Sequence, residues 1–189
     1  MKQNKQEKFF TQEQMLKNKN LSQGMCGQLA NAWLKARMNR QEPTFLNNEN
    51  ETFDVAKKTL EAQVQMEEEG GLAMRRIAFI QTRTPHVHGL FATKALTTSE
   101  GVKDVIGQSR YALVGYTTRF NNTSHMIAFE NDDGNGQCRM FDANMYFGET
   151  KGRCTEIREK FAMMIKARRA QDEHSDPSYV VLSQNSSKA

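Results

Sequence analysis

The chain has 189 residues, enough for one domain with its own core and short for two. Apolar residues make up 38%, and eleven Phe and eleven Met among them give enough bulk to set aside a disordered composition. A net charge of +4 suits an acidic partner or an anionic membrane surface; the basic residues are scattered, without interleaved aromatics or zinc-finger spacing, so nucleic acid is not expected as a partner.

Residues 1–20 are polar, rich in Lys, Gln and Asn, and read as a lead-in. They lack the apolar core of a secretory signal, so export would take a non-classical route. From Met25 to Arg40 the spacing of Met25, Leu29, Ala32, Trp33 and Ala36 predicts a helix, with Ser22 and Gly24 as start signals and Pro43 as the stop. Residues 41–52 form a polar loop. A second helix is expected from Phe53 to Glu69, broken by Gly70-Gly71, and a shorter one from Leu72 to about Thr82. The stretch 83–98 fits no single element. Ser99 is placed to cap a short helix running to Gln108.

The pattern then changes to strands at 110–118, 125–131, 137–143 and 178–183, with a helix from Thr155 to about Ala170 before the last of them. The tail from Gln184 is expected to fray. Helices first and an antiparallel sheet second make an α+β layout, with one folded domain over 21–183. No apolar run approaches the roughly 20 residues of a membrane span.

Three cysteines, Cys26, Cys138 and Cys154, without C-x-x-C spacing argue against a disulfide framework or a structural zinc site. The thiol left over fits a reducing compartment or a catalytic role. No metal or other cofactor is expected. His86 and His88 form an H-x-H pair with no third ligand nearby, and His174 reads as exposed.

Cys26 is the most informative of the three. It opens the first strong helix, where unpaired backbone N–H groups and the positive end of the dipole favour a thiolate. Its own N–H is a ready oxyanion donor. A small buried hydrophobe is the alternative use of such a residue.

Further along, two strand patterns flank an Asp132-Asp133-Gly134-Asn135-Gly136 turn. Centring the turn on Asp133-Gly134 sets His125 directly opposite Asp142, with Cβ atoms about 4.5–5.5 Å apart. Centring it on Asn135-Gly136 instead sets His125 opposite Tyr146. An acid beside an imidazole fixes its tautomer and stabilises the imidazolium. A thiol at a helix start, followed much later by a histidine and an acid on paired strands, is the chain order of papain-like thiol hydrolases.

The three blocks GMCGQLANAWL (24–34), SHMIAFE (124–130) and MFDANMYFGE (140–149) resemble the motifs of the YopT/AvrPphB-type cysteine proteases, bacterial virulence factors with a papain-like fold. The resemblance spans about Ser22 to Gly148. It implies Cys26 as nucleophile, His125 as base and Asp142 as orienting acid. It also implies an oxyanion side chain upstream of Cys26, with Asn20 and Gln23 both in position and Asn20 preferred.

Such proteins are delivered into host cells, by a type III system or as a module of a larger toxin. There they cleave host proteins such as lipidated small GTPases and kinases. The same Cys-His-Asp set also serves deamidases, transglutaminases and acetyltransferases. A non-catalytic binding module is the remaining reading of the chain.

Overall fold

The computed structural model describes residues 26–47, 50–51, 54–55, 91–92, 98–117, 124–131, 135–145, 148–168 and 180–185. The lead-in, the helix expected from Leu72, most of the helix expected from Phe53, and His86, His88 and His174 lie outside them.

The first helix, α1, runs Cys26–Met38. Leu29, Ala30, Trp33, Leu34 and Arg37 recur at helical spacing and are all buried. Lys35 and Arg37 in its last turn complement the negative end of the dipole. The helix stops before Pro43, which was the expected terminator. Arg40 adopts the left-handed conformation (φ 57°), and its N–H bonds Arg37 O while Gln41 N–H bonds Ala36 O. These paired bonds make a Schellman end, with an arginine where glycine is usual. A 3-10 turn follows at Thr44–Asn47, and residues 50–51 are already helical, so the segment 41–52 is not a plain loop.

Among the described residues, six strands form one sheet in the order β1-β6-β2-β3-β4-β5, and every neighbouring pair is antiparallel. Their ranges are β1 Phe91–Ala92, β2 Ser109–Thr117, β3 Ser124–Glu130, β4 Gln137–Phe141, β5 Glu149–Arg153 and β6 Val180–Asn185. The last strand includes Gln184 and Asn185, which pair with Tyr111 and Ser109, so the chain is still in the sheet where fraying was expected. Among the described residues, two further helices, α2 (Ser99–Gly107) and α3 (Cys154–Arg168), pack with the sheet in an α+β architecture.

Strand alternation sorts the core into two clusters, one on each face of the sheet. Tyr111 and Leu113 of β2, Met126 and Ala128 of β3, and Phe141 of β4 pack with Phe45 against α1. Ala112, Val114 and Tyr116 of β2, Ile127 and Phe129 of β3, and Met140 of β4 pack against Val102 and Ile106 of α2 and Ile157, Phe161 and Ile165 of α3. Each fully buried Leu, Ile or Phe contributes about 1.5–3 kcal/mol by leaving water. The central strands are therefore apolar on both faces.

At the far end of α1 from Cys26, the buried guanidiniums of Arg37 and Arg139 meet carboxylates, of which Glu130 is buried and Glu42 exposed. Arg37 Nε donates to Glu130 Oε2 at 2.7 Å and its Nη1 to Glu42 Oε1 at 2.7 Å. Arg139 Nη1 reaches Glu42 at 2.9 Å and Glu149 at 3.3 Å. Both members of the Arg37–Glu130 pair are nearly inaccessible, and neither could be left behind alone at low cost.

Two sequence expectations are corrected here. Thr98, not Ser99, caps α2: its hydroxyl accepts from Gly101 N–H at 3.1 Å. Cys138 and Cys154 are joined in a disulfide, against the expectation from the odd cysteine count, while Cys26 keeps its thiol outside any disulfide. The β4–β5 hairpin explains the bridge. It returns the chain so that Gly152 pairs with Cys138, and Cys154 follows two residues later as the first residue of α3.

Candidate active site

Cys26 is the first residue of α1 and half-buried, as the sequence predicts. The amides of a helix's first turn have no intrahelical acceptor, so they remain available near the sulfur. The side chains predicted upstream as oxyanion donors, Asn20 and Gln23, lie outside the described residues.

His125 is the second residue of β3 and pairs directly with Tyr116 of β2. It is buried, and the Tyr116 ring meets it edge-to-face with centroids 5.6 Å apart. Asp142 follows the end of β4 and is fully inaccessible. Its Oδ1 lies 2.8 Å from His125 Nε2. A hydrogen bond joins the same imidazole to Cys26. With Nε2 committed to the carboxylate, Nδ1 is the ring nitrogen left to face the sulfur. The structure thus brings Cys26, His125 and Asp142 together as sulfur, imidazole and carboxylate in series.

The register that achieves this is neither of the two weighed from the turn. β3 and β4 pair Ala128 with Phe141, Phe129 with Met140 and Glu130 with Arg139. Extended along the strands, that register brings His125 level with Asn144, midway between the two expectations. Asp142 is a diagonal neighbour of His125 rather than a direct one. Because side chains alternate with a period of two, all three registers leave the pair on one face, so the contact survives the shift.

Asp142 is held by its own loop. Its N–H donates to Gly148 O at 2.8 Å, its carbonyl accepts from Met145 N–H at 3.0 Å, and Gly148 N–H closes the turn on Met145 O at 3.0 Å. Gly148 sits at φ 65°, a conformation costing an L-residue about 1–2 kcal/mol. Asp142 Oδ1 also accepts from Asn144 N–H at 2.9 Å.

Trp33 ties the helix that Cys26 opens to this loop. It stacks on Phe141, the residue before Asp142, at 6.0 Å, and its Nε1–H donates to Glu149 Oε2, the residue after Gly148, at 2.6 Å. Trp33, Asn144 and Gly148 fall within the motif blocks 24–34 and 140–149, which assign them no role, and Tyr116 lies in none of the blocks. A tyrosine in a strand one pairing step from the histidine was the available signal for it.

The electrostatics follow from these contacts. Burial alone would lower the His125 pKa, but the hydrogen bonds to Asp142 and Cys26 outweigh it and raise the value from 6.5 to about 10. The imidazole is therefore charged at neutral pH. Among the described residues, no group of three or more His, Cys, Asp and Glu side chains is arranged to hold a metal ion.

What these elements define is an α+β protein with a thiol, an imidazolium and a carboxylate in one buried series. No protein-family model matches the chain, and no curated protein aligns with it. Among solved structures it is similar to the Pseudomonas avirulence protein AvrPphB, at 16% identity and a TM-score of 0.49, over 89% of this chain and 92% of that one. An overlap of that size concerns the general course of the chain and assigns no residue a role.

Proposed function

We propose that the protein is a papain-like cysteine endopeptidase working through a thioester. The observation that carries this reading is the Cys26–His125–Asp142 series, with Nε2 of the imidazole 2.8 Å from the acid and the thiol hydrogen-bonded to the same ring. The Cys26 thiolate attacks a substrate carbonyl and forms a C–S bond. The proton on His125 Nδ1 passes to the leaving amine as the C–N bond breaks. Water then gives a proton to Nδ1, adds its oxygen to the thioester carbon and releases the thiolate. The Cys26 N–H, with Asn20 or Gln23, supplies oxyanion donors worth about 3 kcal/mol each.

The motif resemblance extends the reading to a bacterial effector or toxin that leaves its cell by a non-classical route such as type III secretion. It acts in the host cytoplasm on a host protein such as a small GTPase or kinase, near an anionic membrane surface.

The test compares new protein N-termini in host-cell lysate after treatment with the wild type and with Cys26→Ala. Termini produced only by the wild type are expected. Full activity in Cys26→Ala sinks the mechanism, and a substrate mass change without new termini moves the reading to another acyl transfer.

A further inference from the structure

Four groups face the His125 imidazole: Cys26 of α1, Tyr116 of β2, Asp142 after β4, and Asn144 two residues further on. The acyl-transfer chemistry above uses the thiol and the acid, and Tyr116 packs against the ring. Asn144 has no role in it. Yet its side-chain nitrogen lies 3.5 Å from His125 Nδ1, the atom through which the reaction's proton must pass. Its backbone N–H is anchored on Asp142 Oδ1 at 2.9 Å, and its side chain is on the exposed side of the cluster.

A carboxamide suits that place because one end accepts and the other donates, and heavy-atom positions alone do not distinguish them. A charged ring presents Nδ1–H, which an amide oxygen at this range can accept alongside the Cys26 sulfur that the same atom faces. A neutral ring presents a bare Nδ1 and needs a donor. A half-turn of the amide serves both without moving the backbone.

We propose that Asn144 is a positioning residue that follows the proton on His125, its Oδ1 accepting from Nδ1–H and its Nδ2–H donating to Nδ1 once that proton has left. The proposal rests on the Cys26–His125 reading above. During acylation the Nδ1 proton moves to the leaving amine while the C–N bond breaks and the C–S bond stays, and the amide turns to donate. During deacylation water returns a proton to Nδ1 as the C–S bond breaks, and the amide turns back. The ring is held toward Cys26 in both half-reactions.

The test uses the full chain with Asn144→Asp, Asn144→Ala and His125→Ala. It measures the 15N titration of the His125 ring and the rate of Cys26 alkylation by iodoacetamide at neutral pH. Aspartate can accept but not donate, so Asn144→Asp should raise the titration midpoint by about one pH unit, as an added carboxylate at this range does. Asn144→Ala should slow alkylation several-fold and leave the midpoint closer to the wild-type value than Asn144→Asp does, because the amide serves both protonation states. Since Asn144 is exposed, both variants should fold, and circular dichroism checks this.

If the wild type and His125→Ala alkylate at equal rates, the Cys–His reading itself fails. If those two differ but the Asn144 variants superimpose on the wild type, the role of Asn144 alone fails. Equal changes in the aspartate and alanine variants also overturn it, because packing rather than hydrogen bonding would then be the cause.

Discussion

Asp142 Oδ1 accepts from two donors, His125 Nε2–H and the Asn144 backbone N–H, from a site with no access to water. Both bonds are stronger for an ionised acceptor, and the imidazolium needs the negative charge as well as the geometry. Asp142→Asn keeps the volume but supplies no charge and introduces two N–H donors where the ring already donates. We expect a loss of about 10²–10⁴-fold in turnover, read against the wild type on whatever substrate the lysate comparison yields.

The same contacts set a pH dependence of stability. His125 titrates at 6.5 when unfolded and about 10 when folded, so its contribution is complete below pH 6.5 and is lost as pH rises through about 10. Urea unfolding at pH 6 and pH 10 should show a larger loss for the wild type than for His125→Ala. Equal losses would mean that the ring is not held charged.

At the scale of elements, one indole joins the helix that Cys26 opens to the loop that holds Asp142. Trp33 lies two turns along α1 from Cys26 and touches the residues on either side of the loop that cages Asp142. Trp33→Phe retains a ring to stack on Phe141 and removes the bond to Glu149, which keeps Arg139 at 3.3 Å. The expected cost is about 1–2 kcal/mol in thermal unfolding, with a slower alkylation of Cys26 as the helix start loses its register with the loop.

Much of this layer was legible beforehand. α1, β2, β3, β4 and α3 carry apolar periods that match their burial, because each has at least one face in the core. β5 was missed for the opposite reason. Glu149, Thr150, Lys151, Gly152 and Arg153 form an edge strand with polar, partly exposed residues, and no hydrophobic alternation marks it. β1, two residues long, carries no pattern at all. The nearness of His125 to Asp142 was legible because face parity is insensitive to a two-residue slip. The cage around Asp142 was not, since backbone hydrogen bonds leave almost no trace in residue identity beyond Gly148.

Across the whole molecule the sheet has two differently secured faces. α1 is fixed by Trp33 and by the buried pair of Arg37 with Glu130, whereas the opposite face carries a covalent tie from β4 to the start of α3. The site draws on Cys26 at the start of α1 and on His125 and Asp142, which continue the alternation of the second face. But the bridge leaves β4 near its start whereas Asp142 follows its end, so the bridge bears on stability more than on the geometry of the thiol. Closing a loop of 16 residues stabilises by about 3 kcal/mol in the chain-entropy account. For a chain of this size that is a fall of about 6–12 °C in melting temperature when the bridge is absent.

Replacing both Cys138 and Cys154 with Ala should therefore lower the melting temperature by that amount while leaving the alkylation rate of Cys26 near the wild-type value. Dithiothreitol should lower the wild-type melting temperature and leave the double variant unmoved, since Cys154 is the partly exposed end through which a reductant enters. A double variant that melts with the wild type would mean the bridge does not form in solution, and one that loses Cys26 reactivity would mean that α3 supports the site more directly than an attachment at the opposite end of β4 from Asp142 implies.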